Sequence, residues 1–314
     1  MASTSAPPGP RPAAPPPVAQ ADGLRPSLAE LIALRGTSHH RGATGRGRVG
    51  LAGPAPSSLR GRGMEYAESR EYVVGDDARH IDWRLTARSG RAHTKLFQAE
   101  RERLSLIVAD TAPTLYFGTR TRFKSVQAAR AAAVAAWLAQ RQGDRVAALR
   151  GSLREAPVAP AGGARGVLRV LDALVRWYAE PPADDAGLAL ALDHASRLLR
   201  PGSRLTVFAD PHSAAAIAPS RWSGLSQHHE VVLVLLADAL ELAPPPSLLP
   251  FMAGERRIEL DLASEATRSR WQHAFVEPLQ RLQEALPARR VTVRMLRSDD
   301  SSDAWLGPAP KEVS

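Results

Sequence analysis

The chain contains 314 residues, and its 41 lysine and arginine residues exceed its 32 aspartate and glutamate residues to give a formal net charge of +9. This length is sufficient for one or two domains with a sizeable buried core. The sequence has no cysteine, which excludes a disulfide framework, a cysteine-based zinc site and a thiol nucleophile. No apolar run approaches the ~20 residues of a membrane-spanning helix, so we expect a cytoplasmic protein.

The N-terminal part of the sequence is poor in the apolar residues that a packed core requires. Residues 1–22 are rich in proline and alanine, and we expect a disordered tail there. Residues 23–60 contain a predicted short helix, 28–34, and then a basic arm rich in glycine and arginine. The arm could neutralise nucleic-acid phosphates. It lacks interleaved aromatic residues for base stacking, so nucleic acid is an unfavoured partner, and a solvated loop or an arm that docks on an acidic protein are the other interpretations.

The densest group of charged residues lies in residues 61–103, which we call the signature segment and expect to be irregular or partly β. Acidic, basic and aromatic residues alternate there: Arg70, Tyr72, Gly75, Asp76, Asp77, Arg79, Asp82, Trp83 and Arg88. Ion pairs that hold an irregular segment would explain the pattern, because arginine matches carboxylates bidentately. A recognition surface for a partner is the second interpretation. Composition alone favours the structural one.

From residue 104 onward, short apolar runs alternate with segments of helical periodicity. Runs that end in an acid predict buried strands at 104–110, 204–210 and 230–238, with a weaker one at 256–261, and two more strands are predicted at 145–150 and 289–296. Helices are predicted at 123–141, 166–179, 188–200 and 264–286. This alternation indicates a doubly wound, mostly parallel α/β sheet with helices on both faces. We assign the domain to residues 104–298 and expect a flexible tail at 299–314.

Two of the acids that end predicted strands, Asp110 and Asp210, are candidate site residues. Ligands of doubly wound sheets bind at the carboxyl ends of strands, near the switch in strand order. Both side chains should lie at that edge. The alternative is that each carboxylate caps a neighbouring loop by accepting hydrogen bonds from backbone N–H groups.

The run REYVVGDDARHIDWRLTARSGRAHTKLFQAERE, residues 70–102, resembles the signature of the bacterial family called domain of unknown function 58. The pattern R-x-Y-x-x-G-D-D-x-R-x-I-D-W is matched without gaps, and the likeness extends over about residues 61–297. The resemblance implies a von Willebrand factor A-like, Rossmann-like fold. It also implies that the protein acts together with a MoxR-type AAA+ ATPase and other A-domain proteins, in chaperone-like assembly or maturation of a protein complex.

The resemblance also bears on metal binding, because A-domains often carry a metal-ion-dependent adhesion site. Such a site uses D-x-S-x-S after the first strand, a later threonine and a later aspartate, which suit the oxygen preference of Mg²⁺. Asp110, Thr114 and Asp210 match three of these five positions, whereas Ala112 and Ala186 stand at the other two. We therefore expect a degenerate site, no cofactor and at most weak Mg²⁺ binding.

Three functional hypotheses follow from the sequence. The leading one is a non-enzymatic interaction or adaptor protein, because the signature segment is present and no catalytic motif is recognised. The second is a metal-assisted hydrolase that uses Asp110 and Asp210 with the pair Asp76 and Asp77. The third is nucleic-acid binding through the arginine-rich arm.

Overall fold

The structure is a computed structural model that describes residues 23–36, 64–99, 103–253 and 256–307. The tail predicted at 1–22 and most of the basic arm lie outside the described residues, as do residues 308–314. The chain forms two compact units. One comprises Ala43–Arg103, and the other comprises Leu104–Ser314 together with Met1–Gly42.

The larger unit begins with a short helix, α1 (Leu28–Ala33), and the smaller unit is built on a β-hairpin. Strand β1 (Met64–Glu71) pairs antiparallel with β2 (His93–Ala99). The connection between them carries a 3₁₀ turn, Ala78–His80, and a helix, α2 (Trp83–Ser89). The most densely charged part of the signature segment therefore lies on this connection.

Eight strands follow in the described residues of the larger unit. They are β3 (Leu104–Ala109), β4 (Arg145–Arg150), β5 (Val158–Ala161), β6 (Arg204–Ala209), β7 (Glu230–Ala237), β8 (Leu248–Ala253), β9 (Arg256–Asp261) and β10 (Val291–Arg297). Six of them form one sheet in the order β10-β7-β6-β3-β4-β5, and only β5 runs antiparallel to its neighbour. The predicted mostly parallel α/β sheet is confirmed.

Helices cover both faces of this sheet. They are α3 (Lys124–Arg141), α4 (Gly163–Tyr178), α5 (Gly187–Leu198), α6 (Pro211–Ala215), α7 (Pro219–Ser226), α8 (Ala239–Leu242), α9 (Glu265–Trp271) and α10 (Glu277–Ala285). Residues of α1, α3 and α4 pack into the apolar core on one face. Residues of α5, α6, α7 and α10 pack into the core on the other. Within the described residues, no helix is long and apolar enough to cross a membrane.

The alanine-rich helix α3 is almost entirely buried, including its polar residues Lys124, Ser125 and Gln127. Small side chains allow a helix to lie close to a sheet on one side and to other helices on the other, which fits the dense packing of protein interiors. The indole N–H of Trp137 donates to the carbonyl of Leu31 at 3.0 Å and ties α1 to α3.

Three sequence predictions in the C-terminal third need correction. Residues 256–261 do form a strand, but β9 pairs antiparallel with β8 in a separate hairpin outside the main sheet. The helix predicted over 264–286 is interrupted by a π-helical turn, Gln272–Val276, between α9 and α10. Residues 299–307 are not a loose tail, because Trp305 is 7% exposed and packs into the core beside Phe208, with ring centroids 5.7 Å apart.

Candidate functional site

The first acidic residue of the signature segment, Asp76, ties a turn together. Its carboxylate accepts hydrogen bonds from Arg70 at 2.7 Å and from the backbone N–H of Val73 at 3.0 Å. The hydroxyl of Tyr72 donates a hydrogen bond to the backbone carbonyl of Asp76 at 3.2 Å. Gly75 has a φ of 110°, which residues with a side chain rarely adopt. The hydrogen bond from Val73 and that from Arg70 lower the pKa of Asp76.

The other two aspartates cap short helical elements. Asp77 accepts from the backbone N–H of Arg79 at 3.0 Å and opens the 3₁₀ turn. Asp82 is the N-cap of α2, accepts from the N–H groups of Arg84 and Leu85, and also accepts from the hydroxyl of Ser69 at 3.1 Å. The bond from Leu85 is the largest cause that lowers the pKa of Asp82. The three acids therefore hold the segment in shape, Asp76 by closing a turn and Asp77 and Asp82 as N-cap residues.

Apolar and basic side chains face solvent on this framework. Val73 is 59% exposed, Val74 is 96% exposed and Trp83 is 70% exposed. Arg79 and Arg88 are also exposed. The structure thus separates the predicted residues into two groups: the aspartates, Arg70, Tyr72 and Gly75 shape the connection, and Trp83 and two arginines are presented outward.

A second group of polar residues lies in the larger unit, at the carboxyl ends of β3 and β6. The chain adds strands on one side of β3 and then continues with β6 on its other side, so this is where the strand order switches. Asp110 and Asp210 are brought together there, since one carboxylate oxygen of Asp110 accepts from the backbone N–H of Asp210 at 3.0 Å. The other accepts from the N–H of Ala112 at 3.1 Å. Thr114, the third predicted ligand, is exposed.

The sequence did not indicate the residue that completes this group, Lys124. Its ammonium group donates to the carboxylate of Asp210 at 2.8 Å and to that of Glu241 at 2.7 Å. Lys124 and Asp210 are each 1% exposed, and Glu241 is 6% exposed. We call Asp110, Lys124, Asp210 and Glu241 the strand-edge cluster. One feature of the sequence could have pointed to Lys124: it is one of three lysines in the chain and stands at the start of an apolar, alanine-rich helix.

The pKa values of the strand-edge cluster diverge. Burial raises the pKa of Asp110 to about 6. Burial also acts to raise the pKa of Asp210, but the hydrogen bond from His212 and the charge of Lys124 outweigh it and lower that pKa to about 2. Burial acts to lower the pKa of Lys124, but the charges of Asp210 and Glu241 raise it above its ordinary value. The ammonium form is therefore the stable one.

A further buried aspartate, Asp238, joins three strand ends at the same edge. It is 0% exposed and accepts from the hydroxyl of Thr119 and from that of Ser298, both at 2.5 Å. Asp238 also caps α8 and exchanges hydrogen bonds with Glu241 in a capping box. Thr119 follows β3, Asp238 follows β7 and Ser298 follows β10, so one carboxylate fixes the loops after three strands.

The cluster does not fit the Mg²⁺ site that the resemblance implies. Within the described ranges, no group of three or more histidine, aspartate or glutamate side chains is placed to hold a metal ion. Asp210 directs one oxygen to Lys124 and the other to the N–H of His212 at 2.9 Å. Asp110 and Asp210 therefore meet as predicted, but their oxygens are occupied by donors of the protein.

Most of the chain matches a known protein family. A family model described as "Protein of unknown function DUF58" matches residues 68–278. The chain belongs to this family. The DUF58 match includes the connection between β1 and β2 and all four residues of the strand-edge cluster, whereas β10 lies beyond it.

The DUF58 protein also resembles curated bacterial proteins. The uncharacterized protein Mb1516 of Mycobacterium bovis and the uncharacterized proteins MT1527 and Rv1480 of Mycobacterium tuberculosis are each 30% identical to it over 190 residues. The alignment covers 59% of this chain and 58% of each relative. The chain thus matches less than two thirds of the length of these relatives.

Proposed function

We propose that this DUF58 protein is a non-enzymatic adaptor that binds a partner protein through its signature segment. The observation that carries this proposal is the exposure of Trp83, which is 70% exposed on a helix that Asp82 caps. Tryptophan and arginine are enriched among the residues that dominate binding energy at protein interfaces. A large aromatic side chain held at the surface by a hydrogen-bonded framework is already placed for binding.

The charge distribution indicates the chemistry of the partner. Asp76, Asp77 and Asp82 are engaged in hydrogen bonds with backbone N–H groups of the segment, whereas Arg79 and Arg88 are exposed. Arg79 and Arg88 therefore offer positive charges beside exposed apolar side chains. These two arginines suit carboxylates of a partner with an apolar pocket, because complementary potentials speed association and favour the correct partner.

We identify this partner, on the family resemblance, as a MoxR-type AAA+ ATPase, and the process as chaperone-like assembly or maturation of a protein complex. We further propose that the larger unit is of the von Willebrand factor A type. Its parallel sheet with one antiparallel edge strand, β5, and helices on both faces support that assignment. The hydrolase alternative lacks such support, because Lys124 holds the carboxylate of Asp210.

The test is a binding measurement between the purified full chain and the MoxR-type ATPase of the same organism, with and without ATP. Trp83→Ala should raise Kd by at least roughly 10-fold, as for a residue that dominates an interface. Leu153→Ala is the matched control, because Leu153 is an apolar residue that is 80% exposed in the larger unit. Neither substitution should change the circular dichroism spectrum.

Two outcomes would overturn the proposal. The first is that the wild-type chain does not bind the ATPase in any nucleotide state. The second is that Trp83→Ala and Leu153→Ala have the same affinity as wild type, which would remove the signature segment from the interface.

A further inference from the structure

We infer that Lys124 is the resident cation of the strand-edge cluster, where its ammonium group takes the position of a divalent metal ion. The wild-type cluster therefore binds no divalent cation, and removal of the lysine side chain converts it into a metal-binding site. This inference concerns the larger unit and is independent of the adaptor proposal.

The hydrogen-bond geometry supports an ammonium ion at this position. The distances of 2.8 Å to Asp210 and 2.7 Å to Glu241 are those of charge-assisted N–H···O bonds. Mg²⁺ requires oxygen ligands at about 2.0–2.1 Å in octahedral geometry. The carboxylates are therefore spaced for nitrogen donors and would have to close around a metal ion.

The remaining oxygens of both carboxylates are also engaged. The second oxygen of Glu241 accepts from the backbone N–H of Asp238 at 2.8 Å, and that of Asp210 accepts from the N–H of His212. Both carboxylates thus accept hydrogen bonds at each oxygen, which is the pattern of ionised groups. Asp210 and Glu241 therefore share one positive charge, which the chain itself supplies through Lys124.

While the Lys124 side chain fills it, the cluster is closed to a hydrated metal ion. The side chains of Lys124, Asp210 and Glu241 are 1%, 2% and 9% exposed. Mg²⁺ loses its water ligands reluctantly and usually keeps several of them when bound to protein. A tethered ammonium group is dehydrated once, when the chain folds, and needs no path of entry, so it remains beside the carboxylates of the folded protein.

The first experiment uses the wild-type chain, which has three lysines: Lys95, Lys124 and Lys311. Labelling of the lysine side chains with ¹⁵N gives three ammonium positions in an NMR spectrum, and Lys95→Arg and Lys311→Arg variants assign the third to Lys124. Mn²⁺ is then added up to about 1 mM, the weak end of protein Ca²⁺ sites. The Lys124 signal should persist without selective broadening. Its selective loss on addition of Mn²⁺, prevented by Asp210→Asn, would overturn the inference.

The second experiment removes the resident cation. Lys124→Ala should bind Mn²⁺ at least about 10-fold more tightly than wild type in calorimetry, and Mn²⁺ at about 100 times Kd should raise its Tm by roughly 5 °C. Lys95→Ala is the matched control and should gain nothing. The double variant Lys124→Ala/Asp210→Asn should lose the acquired binding.

A folded Lys124→Ala chain with no greater affinity for Mn²⁺ than wild type would contradict the assignment of the cation position. If Lys124→Ala does not fold, the NMR experiment on the wild-type chain decides the question, because it tests for metal beside Lys124 without altering the cluster.

Discussion

Asp110 and Asp210 have the same side chain and lie at the ends of adjacent strands, yet their pKa values move in opposite directions. Asp110 is buried and accepts neutral backbone N–H groups, so desolvation dominates and raises its pKa to about 6. Asp210 is equally buried, but His212 and the ammonium group of Lys124 lower its pKa to about 2. Desolvation and a neighbouring charge are two separate causes of a pKa shift, and the two aspartates show them side by side.

We predict that Asp110 titrates near pH 6 in the folded protein. Because this pKa is above the ordinary aspartate value of 3.8, the ionised carboxylate destabilises the fold by about 3 kcal/mol above pH 6, and this penalty is lost as the pH falls from 6 towards 4. Asp210 has a depressed pKa, so its contribution is present above about pH 4 and is lost as the pH falls towards 2. Carboxyl ¹³C NMR measures both midpoints.

The control for this prediction is Asp210→Asn, which removes the negative charge that helps to raise the pKa of Asp110. The midpoint of Asp110 should then fall. A midpoint of Asp110 near 4 in the wild-type chain would contradict the burial that the structure gives this side chain.

At the scale of single elements, α2 illustrates how the signature segment is held. Asp82→Ala removes the N-cap and the bond from Ser69, so we expect the local stability of α2 to fall. Amide hydrogen exchange at Arg84 and Leu85 should accelerate. Asp77→Ala is the control, because it removes the cap of the 3₁₀ turn instead, and unchanged exchange at Leu85 in Asp82→Ala would refute the capping role.

The contact between the end of β4 and the start of α5 depends on a glycine. A Cβ atom on Gly151 would lie 2.1 Å from the carbonyl oxygen of Gly187, which is backbone and cannot rotate away. Gly151→Ala should therefore lower the free energy of unfolding by about 3 kcal/mol, at the upper end of overpacking. Gly143→Ala is the control: its φ is 79° but a Cβ there meets nothing within 4 Å, so we expect a strain of only about 1 kcal/mol. Equal losses in urea denaturation would be inconsistent with the contact.

The elements also show which parts of the fold a sequence can predict. Strands β3, β6 and β7 are continuous apolar runs, and burial on both faces of a parallel sheet requires such runs. Strands β5 and β8 were missed because each contains a proline, Pro160 and Pro250, which is typical of loops and edge strands. The alternating pattern of β9 predicted a strand correctly but carried no information about which strand it pairs with.

The same distinction holds for the candidate sites. The rule that ligands bind where strand order switches correctly brought Asp110 and Asp210 together. Lys124 could not be predicted as their partner, because lysine is almost never fully buried unless it is paired, and its partners Asp210 and Glu241 lie far from it in sequence. The signature pattern identified the residues of the connection, but the division into capping acids and exposed Trp83 required their hydrogen bonds and exposures.

At the scale of the whole molecule, the two edge strands of the main sheet determine whether another protein can add a strand to it. Strand β5 at one edge has four residues, and its Pro160 lacks an N–H group. Strand β10 at the other edge carries Arg294, which would repel the same arginine of a second copy laid alongside. Short strands, proline and positive charge are the devices by which natural sheets resist growth at their margins. Neither edge of the main sheet favours the addition of a strand from a second copy, so high local concentrations of this protein should not extend the sheet from one molecule to the next.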